Sequence, residues 1–323
     1  MTAIRTRAAS KPGEGHLGVH SLNHFVISVP DLHEAERFHT AFGLEVANRS
    51  QGYAVRTEGY DTDWGYFVEG SHNKQLQHLS FGIFEADLER FKRHVEANGC
   101  TLLQPPPGFH SNGLWFRDHD GNLLELTVSR KTSPDFKSHG IHQSSAPGNA
   151  GAPLRSKAAR VRPTRLAHIL VFTRDVMKAV DFYTRVLGLG LSDQVSGEIA
   201  FLHGKHGSDH HLIAFVKSDA PGLHHTSWDV PSLDQVGLGA MQMADRGFEK
   251  GWGMGRHVLG SNFFHYVRDP WGSYAEYSCD IDYVPADVAW QAQDHDPEDS
   301  FYIWGPTPPD DFTINYEARE PRR

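Results

Sequence analysis

One long stretch of this chain occurs twice, and the duplication limits the fold more than any other feature. "LNHFVISVPDLHEAERFHTAFGLEV", from Leu22, returns as "LAHILVFTRDVMKAVDFYTRVLGLGL", from Leu166. In both, a strand-like run carrying a histidine leads through an acidic residue into a helical pattern that stops at Gly-Leu. Downstream, "QHLSFGIFEADLERFKRHVEANG" matches "HHTSWDVPSLDQVGLGAMQMADRG", and "LWFRDHDGNLLEL" matches "HYVRDPWGSYAEY". The pairs are His24 with His168, Gly43 with Gly188, His78 with His225, Gly121 with Gly272 and Glu125 with Glu276. Their offset grows slowly along the chain, as duplication with small loop insertions requires.

Each copy divides again into strand, helix and three strands. The expected fold is α+β: two homologous domains, each of two βαβββ modules curled into a half-barrel around a central cavity. In the second copy, strands are expected over 166–173, 198–203, 211–216, 225–230, 263–268 and 274–279, with shorter ones near Leu191 and 256–258. Helices are expected over 177–186 and 233–246. The domains are placed at 21–130 and 164–282, after an N-terminal extension over 1–20. Between them, 131–163 is rich in Ser, Gly, Ala and Pro without an apolar period, and reads as a linker. The acidic, proline-rich tail over 283–323 carries Trp290, Phe301, Tyr302, Trp304 and Phe312, and is expected to pack back near the active site.

Composition removes several function classes. The formal charge is −9 and no basic face stands out, so a nucleic-acid partner is not expected. No run of about 18 apolar residues exists, so no membrane partner is expected, and the opening residues do not read as a secretory signal. Only Cys100 and Cys279 occur, which fits a reducing cytoplasm rather than a disulfide framework. Histidine is abundant, at 22 of 323 residues, which directs attention to metal and proton-transfer sites.

A lone histidine in a strand is usually a packed polar residue. Here His168, His225 and Glu276 each sit in a short strand, and all three recur in the first copy as His24, His78 and Glu125. Curled sheets could bring three such distant residues to one ion. Two imidazoles and one carboxylate are the set that suits non-haem Fe(II), leaving positions open for substrate and oxygen.

"GLHHTSWDV", "HHLIAFV", "GRHVLGSNFFHYVRDPWGSYAEY" and the "FYIWGP" tail resemble the vicinal oxygen chelate superfamily, and within it the type I extradiol catechol dioxygenases. The likeness runs from about Leu22 into the tail. It implies Fe(II) held by His168, His225 and Glu276, with Mn(II) an acceptable substitute and O2 as co-substrate. His211 matches the family's acid–base histidine, with His210 beside it the alternative. His257 matches a histidine that hydrogen-bonds bound catecholate, and Tyr266 a tyrosine near the iron and the substrate hydroxyl. The implied reaction is meta cleavage of a small aromatic diol to a 2-hydroxymuconic semialdehyde-type product, and the implied assembly is a homo-oligomer.

A glyoxalase-like isomerase or thiol transferase of the same superfamily is the alternative, and a non-catalytic binding protein the third reading. Phe201, Trp228, Phe264 and Trp304 are candidate walls of a flat apolar pocket, with Trp304 placed to close it. His224 and His265 are expected to point away from the site. Two features depart from the family. "GRHVLGSN" puts Gly260 and Asn262 where an acidic or amide residue often follows the histidine. The first copy keeps its three would-be ligands, which the family normally loses, yet has only "DWGYFVEG" where "HHLIAF" should be and Trp115 where Tyr266 should be. The first copy therefore reads as structural and catalytically silent; whether it binds metal is left open.

Overall fold

The computed structural model describes residues 15–70, 72–138 and 145–318. Most of the N-terminal extension, part of the linker and the last five residues lie outside these.

The first copy contains β1 (Ser21–Val29), α1 (Leu32–Phe42), β2 (Glu45–Arg49), β3 (Gly52–Arg56), β4 (Gly65–Glu69), β5 (Gln75–Ile83), α2 (Leu88–Ala97), β6 (Leu114–Arg117) and β7 (Leu123–Val128). The second contains β8 (Arg165–Thr173), α3 (Val176–Arg185), β9 (Gly190–Val195), β10 (Ile199–His203), β11 (Ser208–Asp209), β12 (Ile213–Lys217), β13 (Gly222–Asp229), α4 (Leu233–Ala244), β14 (Gly251–His257), β15 (Phe263–Arg268) and β16 (Tyr274–Cys279). The tail adds β17 (Tyr283–Val284), β18 (Gln293–Asp294) and β19 (Tyr302–Trp304).

The two sheets run β2-β3-β4-β1-β5-β7-β6 and β18-β9-β10-β12-β8-β13-β16-β15-β14-β19. Their centres correspond strand for strand. β1 is parallel to β4 and antiparallel to β5, as β8 is to β12 and β13; β5 is parallel to β7, as β13 is to β16. The first sheet has no partner for β14. There the chain reads "LLQPPPGFH", whose prolines offer no N–H to a ladder, and only the Leu103–Trp115 bridge forms. β14 itself starts earlier than the sequence suggests, because "GWGMG" lacks the branched side chains that mark a strand. Conversely, His211 lies ahead of β12 rather than inside it.

Helix ends follow local chemistry. The Asp31 side chain accepts the Glu34 N–H at 3.0 Å, and Asp175 caps α3 by the same bond to Lys178 at 3.1 Å, each cap worth about 1 kcal/mol. Gly43 ends α1 at φ +100°, and a Cβ there would lie 2.2 Å from the Val161 carbonyl oxygen. Helix stop and returning linker thus meet at one residue that has no side chain.

One apolar core spans both copies. Phe42 stacks on Tyr277 with centroids 3.9 Å apart, and the Tyr277 hydroxyl donates to the Phe42 carbonyl at 2.7 Å. Phe25 meets Trp228 edge-on at 6.4 Å. The sheet faces away from this shared core are left to form sites. The tail crosses the second sheet from edge to edge: β18 pairs with β9 and β19 with β14. Among the described residues no helix is long and apolar enough to cross a membrane.

Candidate active site

β8, β13 and β16 are neighbours, and their register sets the site. Ser227 pairs with His168 on one side and Glu276 on the other, and Tyr266 of β15 pairs with Glu276. Paired residues share a sheet face, so His168, Ser227, Glu276 and Tyr266 form one row across four strands. His225, two residues before Ser227, points the same way. The small Ser227 side chain lets its larger neighbours lean together.

They converge closely. His168 Nε2 lies 3.2 Å and His225 Nε2 3.6 Å from Glu276 Oε2, and donor atoms of all three lie within 4.8 Å of one another. Glu276 is fully buried, and its Oε2 and the His225 Nε2 have no hydrogen-bond partner. Burial, then the nearby His224, His168 and His257, holds His225 well below the ordinary histidine pKa, so it is neutral with a lone pair to give. A buried carboxylate oxygen facing unpaired imidazole nitrogens is costly without a cation. The donor set fits a divalent transition ion.

The surroundings hold these groups in place. The Asn262 amide donates to Glu276 Oε1 at 3.1 Å and to Ser278 Oγ at 3.0 Å. Asn262, in the stretch after the "GRH" histidine, therefore orients the carboxylate. His257, at the end of β14, places Nε2 2.9 Å from the Tyr266 hydroxyl and Nδ1 3.0 Å from the Phe301 carbonyl oxygen. Burial and the Glu276 carboxylate raise the Tyr266 pKa well above the ordinary phenol value. The His211 ring lies 4.0 Å from that of His168, and its Nδ1 is 3.1 Å from His210 Nδ1. His210 in turn bonds Asp193 at 2.8 Å, and Asp193 bonds His295 of the tail at 2.7 Å. Burial pushes the Asp193 pKa up, but the bonds from His210 and His295 prevail and hold it below the usual carboxylate range.

A cavity of about 310 Å³ opens on this cluster, with His168, His211, His225, His257 and Tyr266 in its lining. Its apolar walls include Leu170, Phe201, Leu259, Phe301 and Phe312. Of the four expected aromatic walls, only Phe201 lines it. Trp228 turns into the shared core, Phe264 stacks on His257 at 4.0 Å, and Trp304 is 43% exposed on β19. The tail's aromatic contribution comes from Phe301 and Phe312 instead. His224 is a second correction: it also lines the cavity, because the β13–β8 ladder shifts register between Leu223 and His225. A bulge breaks the alternation on which the sequence reading relied.

Ser227, Asp193 and His295 join the site beyond the residues expected to act in it. Ser227 had a local signal, two residues past a ligand on the same face. Asp193 and His295 had none, being joined only by the returning tail. In the first sheet, His24, Ser80, Glu125 and Trp115 form the equivalent row.

The family model described as "Glyoxalase/Bleomycin resistance protein/Dioxygenase superfamily" matches residues 21–126 and again 165–277. Metapyrocatechase 2 of Cupriavidus necator is 50% identical over 303 residues, covering 93% of both chains. Two solved structures share the fold. A Mn(II)-bound glyoxalase from Novosphingobium aromaticivorans has a TM-score of 0.70 at 23% identity, covering 90% of this chain and 93% of that one. A catechol 2,3-dioxygenase has a TM-score of 0.68 at 18% identity, covering 94% and 99%. The chain belongs to the Glyoxalase/Bleomycin resistance protein/Dioxygenase superfamily, and within it to the extradiol catechol dioxygenases.

Proposed function

We propose that this enzyme opens a catechol-type ring beside the diol, inserting both atoms of O2, with Fe(II) held by His168, His225 and Glu276. The observation that carries this is the buried two-imidazole, one-carboxylate group opening onto an apolar cavity that also receives His211, His257 and Tyr266. Mn(II) suits the same donors. The ion supplies Lewis acidity toward the diol and the redox chemistry that O2 requires.

The chain's own residues do the rest. Phe201, Leu170 and Phe312 exclude water and favour a flat ring. His257 donates its Nδ1–H to the Phe301 carbonyl oxygen, so its Nε2 accepts the Tyr266 O–H at 2.9 Å and leaves the Tyr266 oxygen turned to accept from a substrate hydroxyl. His211 is proposed as the acid–base group. Burial and the nearby His168, His210 and His225 hold its pKa well below the ordinary histidine value, so it enters the reaction neutral, able to take a diol proton and return it. His210 and Asp193 fix its ring.

The test is anaerobic loading with Fe(II) followed by a panel of catechols and air. Yellow product with one O2 consumed per diol supports the proposal. Lactoylglutathione formation from the hemithioacetal, with no oxygen uptake, would replace it with the glyoxalase-like reading.

A further inference from the structure

The first sheet keeps a ligand row of its own, and its details are those of a metal site rather than a remnant. Donor atoms of His24, His78 and Glu125 lie within 4.8 Å of one another. His24 Nε2 and Glu125 Oε2 are 3.9 Å apart. Three donors held at ~2.0–2.2 Å around one ion stand roughly 3–3.7 Å apart, so these side chains would draw together by about an ångström on binding.

Three independent features aim these donors. His78 is 1% exposed and has no hydrogen-bond partner on either ring nitrogen, an arrangement that costs free energy unless something accepts a lone pair. His24 Nδ1 lies 2.7 Å from Asn23 Oδ1, which can only accept. The proton is therefore on Nδ1, and the partnerless Nε2 turns its lone pair toward Glu125. Glu125 is oriented by two hydroxyls: Ser80 donates to Oε2 at 2.5 Å and Ser111 to Oε1. Each oxygen keeps a further lone pair.

The surroundings differ from those of the second sheet. The adjoining cavity, about 520 Å³, is lined by polar groups including Asn23, Arg49, Asp63, Tyr66 and Ser111. Trp115 holds the row position of Tyr266, its indole N–H donating to Ser111 at 3.1 Å. The first sheet also lacks the strand that carries His257.

We propose that His24, His78 and Glu125 form a second site for a divalent first-row transition ion, separate from the ring-cleavage site and without the groups that cleavage uses. The proposal does not depend on the reaction assigned to the second sheet.

Chelator-stripped protein titrated anaerobically with Mn(II), the free ion being counted by its paramagnetic resonance signal, tests it. Two ions per chain are expected for the unaltered protein, one for His168→Ala, one for His24→Ala, and none for the double variant. Because His24→Ala could disturb folding, Glu125→Gln is titrated in parallel, and it should also lose one ion. A His168→Ala protein that keeps its fold by circular dichroism yet binds no ion would overturn the proposal. So would a residual ion that survives in the double variant.

Discussion

Nδ1 of His224 lies 2.8 Å from Nδ1 of His225, and the far nitrogen of His224 lies 2.9 Å from the Phe312 carbonyl oxygen. A carbonyl only accepts, so His224 Nε2 carries a proton. Burial pushes the His224 pKa down to about 3, so the ring is neutral and its Nδ1 must accept. His225 Nδ1 then donates, and Nε2 keeps the lone pair that faces Glu276. The tail thereby fixes the tautomer of a proposed ligand. His224→Phe should weaken metal affinity ~10–100-fold, and His224→Gln, which can still accept, should recover part of the loss. Competition titration against a metal-sensitive dye measures both. Equal affinity in all three proteins would refute the relay.

His211 is predicted to act on protons and not on metal. His211→Phe should retain a full complement of iron at the second-sheet site while kcat falls ~10²–10⁴-fold. Asp193→Asn, which loses the carboxylate holding His210, should lower kcat less and move the pH–rate profile. Turnover at the normal rate in His211→Phe would remove that residue from the mechanism.

Lys74 joins the two copies and the tail. It is 3% exposed, lies 3.2 Å from Asp269 and 3.8 Å from Glu317, and donates to Ser273. Glu317 accepts the backbone N–H groups of Leu76 and Leu223 at 2.9 and 3.0 Å. Removing one partner strands the other charges in the interior, so Lys74→Ala should cost about 3–5 kcal/mol, read as a shift in the denaturant midpoint. A change below 1 kcal/mol would mean that water reaches the cluster freely.

Acid should unfold the protein early. Burial lowers the pKa values of His20, His39 and His203 from 6.5 to about 4 each. Between these values the unfolded chain binds more protons than the folded one, so stability falls as pH falls. Each such group costs about 1.4 kcal/mol per pH unit within the window. Thermal midpoints should be flat above pH 7 and drop steeply below 6.5. A midpoint unchanged from pH 7 to 5 would contradict the burial of these rings.

The duplication, the α+β class and the recurrence of His, His and Glu could be read in the sequence because each is a local or repeated pattern. A strand shows its alternation within a few residues, and a capping Asp lies next to the helix it starts. The same locality explains what could not be read. His224 was expected to face away, and a one-residue bulge in β13 turned it inward. Trp228 and Trp304 were expected in the cavity, but which face of a strand meets the other copy depends on how two sheets pack. Asp193 reaches His211 through His210 and the tail through His295, contacts that no spacing predicts. Local patterns set the strands and the types of side chain they carry. Which of those side chains converge depends on sheet register, bulges and the path of the returning tail, and these are set by packing between segments far apart in the chain.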